Sequence, residues 1–126
     1  MTEGAVLRLP DYLGHIAEAI RRIKAYTSNL TKSGFLENQM VQDAVIRNLE
    51  IVGEASRNID RHFPLYRSAH PEVSWISAYE MRNALAHGYF KVDMEIVWQT
   101  ILSDLDPMAR AIHVLLDSLD KHSPLE

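Results

Sequence analysis

The chain contains no cysteine. That excludes a disulfide framework, a thiolate nucleophile and a thiolate zinc site. It also lacks any apolar run approaching the ~20 residues that a membrane span requires, and Met1 to Pro10 has no apolar h-region of the secretory kind. These absences lead us to expect a cytoplasmic protein. The histidines at His15, His62, His70, His113 and His122 show neither H-x3-H nor H-E-x-x-H spacing, so no metal site is expected. What is present is ordinary globular material: 126 residues, 47% hydrophobic and 24% charged. A chain of this size buries about two-thirds of its unfolded surface, and residues 1–126 are expected to form a single domain. No internal repeat or low-complexity tract divides it.

Thirteen basic and 17 acidic side chains give a formal net charge of -4, which argues against broad, nonspecific nucleic-acid binding. The charge is uneven. Residues 1–35 carry five basic and three acidic groups, residues 36–92 six and seven, and residues 93–126 two and seven. Two local basic zones survive on this acidic background. Arg21, Arg22, Lys24 and Lys32 have no acid among them, and Arg57, Arg61, His62, Arg67 and His70 are accompanied by Asp60 alone. Either zone is also compatible with a plain solvated face. The acidic C-terminal segment is expected to face away from any nucleic acid.

Apolar residues recur at helical spacing almost throughout, and no stretch alternates like a strand, so the class is all-α. Leu13, Ile16, Ala17, Ile20 and Ile23 form the first stripe, with Pro10 and Asp11 suited to a helix start and an end expected near Ser28 or Asn29. Thr31, Ser33 and Gly34 mark a turn. A long second helix is expected from about Leu36 through Val41, Ala44, Val45, Ile51, Val52 and Ala55 to Ile59, and Pro64 and Pro71 bracket a break. A third helix should run from about Ser74 to His87, closed by Gly88. Asp93 is an expected N-cap for a fourth, with Met94, Val97, Trp98, Ile101, Leu102 and Leu105 as its stripe. The pattern continues through Met108, Ala109, Ile112, Leu115, Leu116 and Leu119. Pro107 predicts either a kink or a new helix with Asp106 as N-cap. The expected architecture is an antiparallel four- to five-helix bundle.

Reactive side chains concentrate in Met81-Arg82-Asn83-Ala84-Leu85-Ala86-His87-Gly88-Tyr89. On a helix, Asn83 and His87 share a face at i, i+4. Arg offers a permanent cation whose fork fits phosphate, and His exchanges protons near neutral pH. Arg plus His is the minimum set for cleaving RNA without a metal. His takes the ribose 2'-hydroxyl proton or protonates the leaving 5'-oxygen, while Arg stabilises charge growing on the phosphate. The bland alternative is that Arg82 pairs with Glu80 or Glu54, His87 caps a helix C-terminus and Tyr89 packs at the core edge. Glu50 and Glu54, i, i+4 on the central helix, either line a cleft, bridge to Arg82 or are solvated, and receive no catalytic role. Gly53 between them is unfavourable in a helix interior by about 1 kcal/mol against Ala, which points to a close helix crossing.

The pattern Arg82-Asn83-x-x-x-His87-x-Tyr89 resembles the R-x4-H-x-Y motif of HEPN-domain proteins, specifically the HepT-like toxins of HEPN/MNT toxin-antitoxin pairs. The resemblance covers nearly the whole chain, including Tyr26, the Glu50 to Ala55 stretch, Trp75, Val92-Asp93 and Val97-Trp98. It implies a HEPN-like homodimer acting as a metal-independent endoribonuclease toxin, with no cofactor. Arg82 and His87 of both protomers would face each other in an interface cleft, with Asn83 orienting the phosphate or His87. It further implies a minimal nucleotidyltransferase antitoxin that silences the RNase by AMPylation of Tyr89, where a phosphodiester adds charge and bulk beside His87. The alternative function is a non-catalytic nucleotide-binding or assembly subunit that positions a nucleotidyltransferase.

Overall fold

The computed structural model describes residues 7–75, 78, 81 and 93–121. Helices α1 (Leu9–Thr27), α2 (Lys32–Leu36), α3 (Gln39–His62), α4 (Pro64–Ala69), α5 (Met94–Ser103) and α6 (Leu105–Lys121) follow in order. Trp75, Ala78 and Met81 are helical as well, and no strand occurs among the described residues. The all-α expectation holds, with more and shorter elements than the apolar pattern alone predicts.

Caps explain the differences. Helix α1 begins at Leu9, a residue ahead of Pro10, and the Asp11 carboxylate accepts the Arg8 N–H at 3.2 Å. The expected turn at Thr31 to Gly34 is itself a short helix: Thr31 Oγ1 accepts from Gly34 N at 3.1 Å and starts α2. Asn38 then caps α3 by accepting from Val41 N at 3.0 Å, so the long helix begins at Gln39 rather than Leu36. Pro64 opens α4 instead of lying in a plain break. At a first helical position its missing N–H removes no bond, and Phe63 serves both as the end of α3 and the entry to α4. Between α5 and α6 the chain breaks at Asp104, whose N–H donates to Thr100 O at 2.9 Å. Helix α6 therefore starts at Leu105, ahead of the expected Asp106 cap, and Pro107 sits in its first turn where an N–H has no helical acceptor.

The core forms where α1 packs chiefly against α3 and next against α6. Leu13, Ile16, Ile20 and Ile23 of α1 are buried against Val45, Leu49, Val52 and Ile59 of α3, with Ile112 and Leu115 of α6. Phe35 of α2 is fully buried and stacks on Trp98 of α5, ring centroids 5.2 Å apart. Burial of such a ring contributes roughly 2–3 kcal/mol. Gln42 carries this packing into the polar core, because its Nε2 donates to the carbonyls of Phe35 (2.9 Å) and Leu36 (3.1 Å) and ties the end of α2 to α3. No described helix is long and apolar enough to cross a membrane.

Candidate functional site

The motif residues Arg82, Asn83, His87 and Tyr89 lie outside the described residues, as does Gly88. Both flanks of that segment are described. On the N-terminal side, Ala78 N donates to Ser74 O at 3.0 Å, the first bond of the helix expected from Ser74. Trp75 is buried, and its indole N–H donates to His70 O at 3.0 Å. Around it, His70 Nδ1 meets Glu72 Oε2 at 3.0 Å and the Tyr66 ring lies 4.4 Å from the His70 ring. A backbone hydrogen bond and then His70 hold the Glu72 carboxyl below its ordinary range, while burial and then Glu72 push the Tyr66 phenol up. This polar corner ties residues 70–75 to the end of α4. On the C-terminal side, Asp93 caps α5 as expected, its Oδ1 accepting from Glu95 N at 2.9 Å, and Val97 and Trp98 are buried.

Ala78 and Met81 face a cavity of about 340 Å³ whose other walls include Leu49 and Val52 of α3 and Thr100, Ser103, Leu105 and Met108 at the α5–α6 junction. A second, larger groove of about 680 Å³ runs between α1 and α3. Its walls bring together Tyr12 and His15 from α1 with Arg47, Glu50, Ile51, Glu54 and Asn58 from α3. Glu50 is half-buried there, and its carboxylate reaches Arg47 only at 4.0 Å. Tyr12 is buried and holds the exposed His15 ring edge-on, centroids 6.3 Å apart. Tyr26, part of the family resemblance, is exposed near the end of α1.

Glu50 and the exposed Glu54 line this α1–α3 groove, while Arg82 and the motif cleft, the other placements weighed in the sequence, lie outside the described residues. His15, Arg47 and Asn58 were not singled out there. For Arg47 and Asn58 a signal existed, since residues 47, 50, 51, 54 and 58 recur at helical spacing on one face of α3. For His15 none did, because only the packing of α1 on α3 brings it across.

In the fold the basic zone at Arg21 to Lys32 is the solvated face that its bland reading describes. Arg21 and Arg22 both bind the Glu18 carboxylate, at 2.7 and 3.0 Å, Lys24 pairs with Asp106, and Lys32 reaches Glu95 at 2.8 Å. Acids from outside the stretch neutralise it, so it is no free phosphate-binding surface. Hydrogen bonds from Arg21 and then Arg22 hold the Glu18 carboxyl down at about 2. In the second zone Arg67 pairs with Asp60 at 3.0 Å, whereas Arg57, Arg61 and His62 are exposed along the end of α3. Among the described residues no group of three His, Asp or Glu side chains is placed to hold a metal ion.

Residues 16–115 match a family model described as Ribonuclease HepT-like. Over 95 residues, 75% of the chain and 84% of the relative, the sequence is 44% identical to the Thermococcus cleftensis protein named "Probable ribonuclease HepT". It is 33% identical over 104 residues to the Methanocaldococcus jannaschii protein named "Putative RNase MJ1380", covering 82% of the chain and 93% of the relative. A third relative from the same organism, named "Gamma-glutamylcyclotransferase and putative RNase MJ0434", is 36% identical over 111 residues, 88% of the chain but 49% of the relative. No solved structure matches the chain.

Proposed function

The chain belongs to the HepT-like ribonuclease family, and from that premise we propose that it is a single-domain, cytoplasmic endoribonuclease toxin that cleaves RNA without a metal ion. The observation that carries this reading is the filled motif Arg82-Asn83-x-x-x-His87-x-Tyr89 inside the matched span 16–115. Cleavage proceeds by internal transfer. The ribose 2'-oxygen attacks the adjacent phosphorus as His87 takes its proton, the bond to the 5'-oxygen breaks, and that oxygen is protonated as it leaves. Products are a 2',3'-cyclic phosphate and a 5'-hydroxyl. Arg82 holds the phosphate and offsets the negative charge that grows on its equatorial oxygens, a contribution that requires a permanent, planar cation. Asn83 orients the phosphate or His87.

In this reading two chains pair so that Arg82 and His87 of both line one cleft, which concentrates positive charge in an acidic protein. The partner that controls it is a minimal nucleotidyltransferase, which transfers AMP to the Tyr89 hydroxyl. The added phosphodiester places negative charge where an RNA phosphate must sit. Co-expression with a cognate minimal nucleotidyltransferase followed by intact-mass measurement tests the pair. Mass increments of AMP size that vanish in Tyr89→Phe are expected. An unmodified, growth-arresting protein in the presence of active nucleotidyltransferase refutes AMP-based control.

A further inference from the structure

The α1–α3 groove has the dimensions and chemistry of a nucleotide subsite. Its volume of about 680 Å³ lies within the range of small-ligand clefts. Its apolar wall is Ile51, Ala55 and the Tyr12 ring, and His15 stands exposed at the α1 rim with Tyr12 against its edge. Single-stranded RNA is read by splaying a base out of the stack, laying it on an aromatic or imidazole face and hydrogen-bonding its Watson–Crick edge.

The charge order along α3 says which base fits. Arg47 stands at one end of the groove, Glu50 and Glu54 in the middle, and Arg61 continues the same helix face beyond Asn58. Helix geometry puts Arg47 and Arg61 about 21 Å apart, the span of a few nucleotides. Cations at the ends suit phosphates. A carboxylate in the middle suits two adjacent donors on a base edge. Guanine alone among the four bases presents two adjacent donors there, N1–H and the N2 amino group, matching the two oxygens of one carboxylate. Adenine and cytosine pair one amino donor with an acceptor, and uracil sets its single donor between two acceptors. Glu50 is suited to the role, being half-buried in the wall with an internal ion pair only at the 4.0 Å limit.

We propose that the α1–α3 groove receives one unstacked guanine of the RNA, with the Glu50 carboxylate accepting from N1–H and N2–H and Arg47 holding a flanking phosphate. The inference rests on the ribonuclease reading for its biological ligand, yet it is tested by binding alone. The four nucleoside 3'-monophosphates are titrated into the full-length protein by calorimetry, with the His15 and Tyr12 ring resonances followed by NMR. Guanosine 3'-monophosphate should bind at least about tenfold tighter than the other three and shift both rings. Glu50→Gln, which replaces one acceptor oxygen by a donor, should erase that preference, and Arg47→Gln should weaken all four alike. Equal affinity for the four nucleotides, no binding of any of them, or a guanine preference that survives Glu50→Gln overturns the assignment. Absence of RNA cleavage by the wild type counts against the ribonuclease reading instead, since the nucleotide preference is measured without it.

Discussion

Ser56 sits on α3 with its side chain fully buried, and its Oγ has no hydrogen-bond partner among the described residues. A hydroxyl removed from water without a replacement bond destabilises the folded state by about 1–3 kcal/mol. Ser56→Ala deletes only the oxygen and also gains a few tenths of a kcal/mol in helix propensity. Against this stands the small loss of packing around one missing atom, so the net expectation is stabilisation of roughly 1–2 kcal/mol. With an unfolding entropy of about 2.1 cal/mol/K per residue, each kcal/mol moves the midpoint of a chain this long by roughly 4 °C, giving a rise of about 4–8 °C. Paired thermal and urea melts, monitored by helical circular dichroism, read it. A fall in Tm would refute the reasoning, because it would mean that Ser56 Oγ makes a bond whose loss outweighs both gains.

Other outcomes follow from the same geometry. Gly14 lies inside α1, and a Cβ built there meets nothing within 4 Å, so Gly14→Ala should stabilise by about 0.5–1 kcal/mol in urea melts; a destabilised variant would mean the space is filled. Gln42→Leu strips the α2 carbonyls of Phe35 and Leu36 of their buried donor and should destabilise by about 1–3 kcal/mol in the same assay; an unchanged melt would show that the tie carries no weight. Glu18 should titrate near 2 rather than 4.5 by side-chain NMR. Because its folded value is depressed, the pair with Arg21 and Arg22 favours the fold fully above about 4.5, and that contribution fades as pH falls toward about 2. A midpoint close to 4.5 would show that the surface pair does not persist in solution.

Periodic burial was legible in the sequence because it depends on one helix at a time. The stripe Leu13, Ile16, Ile20, Ile23 is buried as its spacing demands, and so are Val45, Val52, Ala55 and Ile59. Leu102, placed on the α5 stripe, is instead 58% exposed, since that short helix turns Met94, Val97, Trp98 and Ile101 to the core. Thr31 was recognisable as a turn residue, whereas Asn38 fell inside the long helix expected from Leu36; neither was legible as a cap, because each acts through a single backbone N–H three residues on. Gln42, Asn48 and Ser56 were invisible as core residues, since a polar side chain on an apolar face is identified only by its neighbours. The motif at Arg82 to Tyr89 was legible as local chemistry. The groove that joins His15 to Glu50 was not, because it is made by two helices that sequence separation keeps apart.

The most direct test of the account is RNA cleavage by the purified protein in EDTA, with His87→Ala beside it and both shown to be equally helical and equally stable. The wild type should cleave and leave 2',3'-cyclic phosphate and 5'-hydroxyl ends, while His87→Ala should be slower by at least about a hundredfold. Cleavage at the same rate by both proteins would contradict the assignment of His87 and the mechanism built on it.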